Sequence, residues 1–203
     1  ATMDAMYRYQ RHVYDLTRKY YLFGRDRLIA DLNCAPHDKV LEIACGTGRN
    51  LVRIAKRYPG AKLHGLDISE QMLVSARAKF SKSENPPAFV AADACDFAPA
   101  TFGETGFDRI VISYALSMIP DWQQAVKVAR RALNPGGSLH IVDFGQQEGL
   151  PAWFRAGLQA WLAKFHVTPR AEMVAVLEAE AIDAELRFET IGRGYAWHAI
   201  LRA

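Results

Sequence analysis

The stretch from Val40 to Asn50, VLEIACGTGRN, constrains the fold most. An apolar strand carries an acid near its end, turns on two glycines and opens a helix. Such a βα turn brings the backbone close to a ligand, and glycine permits both the close approach and a positive φ. Two details narrow the ligand. A dinucleotide fingerprint wants a small residue at position 51, where this chain has Leu51, so the close pyrophosphate approach that a third glycine allows is missing. Glu42, four residues before Gly46, places a carboxylate at the strand end, where it repels a pyrophosphate and suits an amino group.

The pattern around this turn alternates. Strands are expected at residues 39–44, 62–67, 88–92, 108–113 and 138–143. Helices follow the first of these to about Tyr58, run over 70–80 behind an N-capping Ser69, and span 122–133, stopped by Asn134-Pro135-Gly136-Gly137. Residues 186–191 and 195–202 flank Gly192-Arg193-Gly194 as a hairpin. Residues 3–31 read as helical, broken at Gly24. The β-α alternation implies a parallel sheet with right-handed crossovers, here closed by an antiparallel last strand. Residues 1–203 form one domain, with 1–35 as an N-terminal helical lid.

In open α/β sheets ligands sit at the carboxyl ends of the strands, and four motifs fall there. Glu42, Gly46 and Gly48 follow strand one. Asp67 ends strand two, 19 residues after Gly48, and can accept both hydroxyls of a ribose; Ile68 and Met72 are placed to pack on a base. Asp93-Ala94 ends strand three, where an acid accepts from a base amino group. Ser113-Tyr114-Ala115 ends strand four. Each acid alone fits a loop cap equally well, but four coincidences at successive strand ends make a nucleotide site.

The motif E-x-x-x-G-x-G with the second acid at Asp67, Phe107-Asp108 opening strand four and the Leu133–Gly137 turn resembles the class I S-adenosylmethionine-dependent methyltransferases. The resemblance implies a Rossmann-like α/β fold: a seven-stranded, mostly parallel sheet with an antiparallel C-terminal strand, plus N-terminal helices. It also implies S-adenosylmethionine as cofactor, with S-adenosylhomocysteine as product. By this resemblance the cofactor contacts are Glu42, Ala44, Gly46, Thr47, Gly48, Asn50, Asp67, Ile68, Met72, Asp93, Ala94 and Ser113. Gly46 and Gly48 would flank the aminoacyl part, Asp67 the ribose, Asp93 the adenine, and Ser113 the methionine portion.

Residues 13–18, VYDLTR, and 24–29, GRDRLI, are similar to the bacterial methyltransferases that build betaine lipids. That resemblance implies three N-methylations of diacylglyceryl homoserine. Related Tyr-Asp openings occur in phosphatidylethanolamine and quinone methyltransferases. A growing quaternary ammonium is held by aromatic faces at roughly 0.5–2 kcal/mol per contact. Tyr7, Tyr14, Tyr21, Tyr114 and Trp197 are the candidates, although each also fits core packing. Arg18 or Arg25 would hold the acceptor's carboxylate bidentately. Tyr14, Asp15 and Tyr114 are the expected catalytic residues, with Asp15 or Tyr14 taking the amine proton unless solvent does. His140 and His198 read as structural.

Composition sets the outer bounds. The chain has 203 residues, half of them hydrophobic, enough for one core. No run of about 18 apolar residues marks a membrane span, and no signal peptide is expected. Cys34, Cys45 and Cys95 lack C-x-x-C spacing, which fits reduced thiols in a cytoplasm; no His/Asn pattern supports Cys95 as a nucleophile. No metal site is implied. The net charge is +3, concentrated in residues 1–30, which suggests an anionic surface or substrate; no nucleic-acid module is recognisable. Residues 151–165 mix aromatics (Trp153, Phe154, Trp161, Phe165) with Arg155 and Lys164, suiting either a membrane interface or packing on the sheet. The expectation is a cytoplasmic enzyme, peripheral on the inner face of the cell membrane through its N-terminal helices and residues 151–165. Phosphatidylethanolamine, a soluble quinone or small acceptor, and a non-catalytic cofactor-binding role are the alternatives; oligomeric state is not legible.

Overall fold

The computed structural model describes residues 22–164 and 167–203. Its centre is a seven-stranded sheet of order β3-β2-β1-β4-β5-β7-β6, comprising β1 (Lys39–Ile43), β2 (Lys62–Asp67), β3 (Ala88–Ala91), β4 (Phe107–Ser113), β5 (Leu133–Phe144), β6 (Glu185–Ile191) and β7 (Ala196–Arg202). The first five run parallel; β7 is antiparallel to both β5 and β6. The expected architecture is therefore present, antiparallel closing strand included.

Strands β1 and β4 sit in the middle because both of their faces are apolar. Their alternate residues feed two cores, one per face of the sheet. Leu41, Ile43, Ile110 and Ile112 join the first, under α4 (Trp122–Arg131) and α6 (Met173–Glu180). Val40 and Val111 join the second, under α1 (Arg25–Asp31), α2 (Arg49–Arg57) and α3 (Glu70–Lys79). From β1 the chain winds outward through β2 to β3, then returns to β4 on the other side of β1. That reversal opens a crevice at the carboxyl ends of β1 and β4.

Several boundaries move. Helix α4 stops at Arg131, and the Asn134–Gly137 segment belongs to β5, with a register shift opposite Phe107 and Arg109. The reason is Asp108. Its carboxylate accepts from the backbone N–H of Lys39 and from the Asn134 side-chain amide, both at 2.8 Å, binding the amino ends of β1, β4 and β5 together. Ser69 occupies the N-cap position of α3, but its hydroxyl makes no capping bond; Asp67 takes the local backbone N–H instead. Helix α6 and a 3₁₀ turn at Pro99–Phe102 carry no periodicity long enough to announce them. The aromatic-basic segment forms helix α5 (Ala152–Ala163), and its apolar residues divide. Leu162 is buried, Leu158 and Trp161 pack against the core, and Trp153 and Phe154 stay exposed. Phe165 lies outside the described residues.

Burial opposes ionisation of Asp108, but the Lys39 N–H, the Asn134 amide and the Arg109 guanidinium outweigh it and hold the carboxyl below its ordinary range. Asp108→Ala should lower unfolding free energy by about 1–3 kcal/mol in urea titration near neutral pH. Because the folded-state pKa is depressed, the deficit should shrink as pH falls below the ordinary carboxyl value.

Candidate functional site

Two cavities meet at the carboxyl ends of β1, β2 and β4, with Ala44 in the wall of both. The larger, about 550 Å³, lies between the turns after β2, β3 and β4. Asp67, Ile68, Asp93, Ala94, Met118 and Ile119 line it. The smaller, about 50 Å³, is lined by Arg25, Glu42, Gly46, Thr47, Asn50 and Ser113. One is broad and mostly apolar with three aspartates, Asp67, Asp93 and Asp121, in its wall; the other is narrow, polar and bipolar in charge.

The glycine turn builds the junction. Ala44, Gly46, Gly48 and Tyr114 all have φ between +54° and +73°, so the chain ends of β1 and β4 both take left-handed backbone, costly for Ala44 and Tyr114 and typical of ligand sites. The two glycines do different work. A Cβ on Gly46 would meet nothing within 4 Å, so that position faces open space where a ligand can approach; a Cβ on Gly48 would meet Ala76 at 3.1 Å, so that glycine lets α2 pack on α3. Gly48 is thus a packing residue and not a cavity wall.

Asp67 holds the turn in shape. Its Oδ2 accepts from the Gly46 N–H at 2.8 Å and its Oδ1 from the Ser69 N–H at 2.9 Å. A carboxylate in the wall of the larger cavity suits a vicinal diol there. Asp93 is arranged similarly at the far rim, with Oδ1 accepting from the Cys95 N–H at 2.8 Å. Ile68, 72 % exposed, supplies an apolar wall, whereas Met72 is buried away from the cavity.

Glu42 dominates the smaller cavity. It is 2 % exposed, its Oε1 accepts from Asn50 Nδ2 at 2.7 Å, and its Oε2 has no partner among the described residues. Burial pushes its pKa up to about 8, against the Asn50 hydrogen bond and the Arg25 charge, which both lower it. Ser113 Oγ is likewise buried and unpartnered. A buried acceptor lacking a donor is expensive, and an ammonium group entering this cavity would satisfy it. Arg25 stands in the same wall with the opposite charge. Together they match the amino and carboxylate ends of an α-amino acid, so the residues present fit an aminoacyl group here and a nucleoside next door.

Two further expected site residues, after Gly48 and Met72, belong elsewhere. Tyr114 is 1 % exposed, packs its ring on Phe144 and donates its hydroxyl to the Phe23 carbonyl at 2.6 Å. Burial raises its pKa far above the ordinary value, so it is a neutral core residue and not a cage wall or catalytic group here. Trp197 is also in the core, edge-on to Phe188. Both sit on strand-end segments, where sequence does not reveal side-chain direction. Tyr7, Tyr14, Asp15, Arg18 and Tyr21 lie outside the described residues. His140 is pushed down to about 3 by burial, with Ser138 Oγ at 2.8 Å from its Nε2, and burial also lowers His198. Both are neutral and structural.

Sequence reading missed the turn after β4. Met118, Ile119, Pro120 and Asp121 close the larger cavity opposite Ile68; their only signal is an apolar run directly after a strand. Cys95 shares that wall and donates its thiol to the Asp121 carbonyl at 3.2 Å. Burial and neighbouring Asp93 raise its pKa to about 11, which keeps it a neutral thiol.

Residues 40–137 match the family model described as a methyltransferase domain. The chain is 36 % identical over 116 residues to the ubiquinone/menaquinone biosynthesis C-methyltransferase UbiE of Paracoccus denitrificans (strain Pd 1222), covering 55 % of this chain and 45 % of that protein. It thus spans about half the length of the curated relatives it matches. Among solved structures it resembles the plantazolicin methyltransferase BpumL in complex with S-adenosylhomocysteine and a substrate analogue (TM-score 0.73, 17 % identity, 99 % of this chain and 92 % of that one). It also resembles a phosphoethanolamine N-methyltransferase of Haemonchus contortus (TM-score 0.65, 21 % identity, 82 % and 38 %). These likenesses agree with the strand order: the fold is the Rossmann-like class I methyltransferase fold.

A ligand ammonium favours the Glu42 carboxylate, so binding should expel a proton. The affinity for S-adenosylhomocysteine should climb by up to about tenfold per unit between about pH 6 and 8 and then level off. Isothermal titration of Glu42→Gln should show weaker binding with that slope abolished. Without ligand the sign reverses. A carboxyl raised in the folded state favours folding at low pH and loses that contribution as pH rises towards 8, so the thermal midpoint should drift down in the wild type and less in the variant.

Proposed function

We propose that this chain is an S-adenosylmethionine-dependent N-methyltransferase that methylates the amino group of diacylglyceryl homoserine three times to give a betaine lipid. The observation that carries the cofactor is the pairing of the bipolar Arg25/Glu42 cavity with the Asp67/Asp93 cavity, which fits the two ends of S-adenosylmethionine. The acceptor rests on the VYDLTR and GRDRLI segments at residues 13–18 and 24–29.

When bound, S-adenosylmethionine supplies an electrophilic methyl on a sulfonium. The protein's own residues then position and exclude. Glu42 takes the amino end and Arg25 the carboxylate, which reassigns Arg25 from the acceptor to the cofactor. Asp67 holds the ribose, and Ile68 with Met118 and Ile119 sandwich the base. Transfer is an in-line displacement, for which alignment supplies much of the acceleration. The acceptor nitrogen must be neutral to attack; its proton leaves to solvent or to Asp15, and the last product, a quaternary ammonium, has none to lose. Among the described residues no helix is long and apolar enough to cross a membrane, and Trp153 and Phe154 stand exposed on α5. Peripheral contact with the inner face of the cell membrane gives the site its lipid.

A second reading is C-methylation of a quinone ring, favoured by the quinone methyltransferase among the relatives. Here too the substrate is membrane-partitioned, but the attacking atom is carbon and no cation forms.

The protein, S-adenosylmethionine and vesicles carrying diacylglyceryl homoserine, phosphatidylethanolamine or a demethylated quinone should yield a gain of three methyls on the homoserine lipid alone, read by mass. One methyl on the quinone would establish the second reading. Products on phosphatidylethanolamine only would keep the chemistry and change the headgroup.

A further inference from the structure

Helix α2 carries Arg49, Arg53, Lys56 and Arg57 and no acidic residue. The whole chain carries a net +3, so these nine residues hold more positive charge than the chain does. Spacings of four, seven and eight residues from Arg49 place all four on one helix face, opposite buried Leu51 and Ile54. Arg53, Lys56 and Arg57 are exposed.

This face borders a groove of about 590 Å³ between α1 and α2, walled by Asp26, Ile29, Arg53, Lys56 and Arg57. Two of its cations are held in place. Arg53 pairs with Asp26; Arg57 lies over the Tyr58 ring at 5.7 Å and donates its Nε to the Tyr58 hydroxyl at 3.3 Å. Lys56 has no carboxylate partner among the described residues. The groove continues into a second cavity of about 190 Å³ that shares Asp26 and Arg53 and adds Arg25 and Arg49. That cavity in turn shares Arg25 and Arg49 with the small chamber holding Glu42. A cationic path therefore runs along α2 to the mouth of the cofactor site. Among the described residues lining it, Asp26 is the one carboxylate before Glu42, too few to read the stripe as internal ion pairing.

We propose that the exposed face of α2, with the groove beside it, docks the protein on an anionic phospholipid surface and so presents the site's mouth to the bilayer. The proposal rests on the membrane-acceptor reading above and adds the surface and lipid charge that it leaves open. Phosphate oxygens suit the Lys56 ammonium and the terminal nitrogens of Arg57, while the Arg53 fork is engaged by Asp26. Phe23, 52 % exposed in the wall of the middle cavity and edge-on to Tyr195, leaves ring surface for the acyl boundary; the lipid acceptor of the reading above favours a membrane over a polynucleotide.

The test is co-sedimentation of the full chain with phosphatidylcholine vesicles, with and without phosphatidylglycerol, at low and high salt. It uses the wild type and a triple variant, Arg53→Gln with Lys56→Gln and Arg57→Gln. S-adenosylhomocysteine affinity is the folding control, since none of the three residues lines the cofactor cavities. The wild type should bind the anionic vesicles far better than the neutral ones and release in salt. The variant should bind them about a hundredfold more weakly, at about fivefold per basic residue, with cofactor affinity unchanged. Equal vesicle binding by variant and wild type would overturn the proposal while leaving the membrane reading intact. Wild type that binds neither vesicle would remove both. Retention on single-stranded DNA but not on anionic vesicles would overturn it in favour of a polynucleotide.

Discussion

The carboxylate of Asp67 ties the ends of the first two strands together. By accepting from the Gly46 and Ser69 N–H groups, it fixes the glycine turn after β1 relative to the turn after β2, and both cavities take their shape from that. The parallel pairing of β1 with β2, with Ile43 beside Leu66, brings the carboxylate within reach of the turn. The turn in turn aims Gly46 at open space and leaves Gly48 to seat α2 against α3. Sheet topology, backbone conformation and site geometry are thus one construction.

Charge is distributed to match. Glu42 is buried with one oxygen unsatisfied, and burial drives its pKa to about 8. A free protein near neutral pH therefore stores most of this group in its uncharged form, which spares the core an unpaired ion. Arrival of an ammonium reverses the balance. Arg25 supplies the complementary charge in the same chamber, so the order of charges across the cavity sets which way round an amino acid end can enter. The adjoining nucleoside chamber is apolar on its faces and acidic at its rim, the inverse of a pyrophosphate site. The fold alone would admit a dinucleotide; Leu51 in place of a small residue argues against one.

Much of this is legible in the sequence, for specific reasons. The alternation of strand-like and helix-like segments implied a parallel sheet, because strands buried on both faces advertise themselves as apolar runs, and the terminal hairpin implied the antiparallel close. Acids at strand ends were legible because strand direction fixes where their ends lie. Side-chain direction was not: Tyr114 and Trp197 follow or occupy strands whose neighbours decide whether a ring faces a cavity or the core, and both face the core. The Asn134–Gly137 turn reads as a stop signal, but Asp108 draws it into β5 through a contact 26 residues away in sequence. Helix α6 is short and apolar on more than one side, which leaves no period to read. The larger cavity's wall at Met118–Asp121 is a loop, where position depends wholly on tertiary context.

The most direct measurement is a crystal structure of the chain with S-adenosylhomocysteine. The ligand's amino group should lie on Glu42 Oε2, its carboxylate on Arg25, its ribose hydroxyls on Asp67 and its adenine between Ile68 and the Met118–Ile119 turn. A ligand bound with its amino end away from Glu42, or outside the two chambers that share Ala44, would contradict this placement.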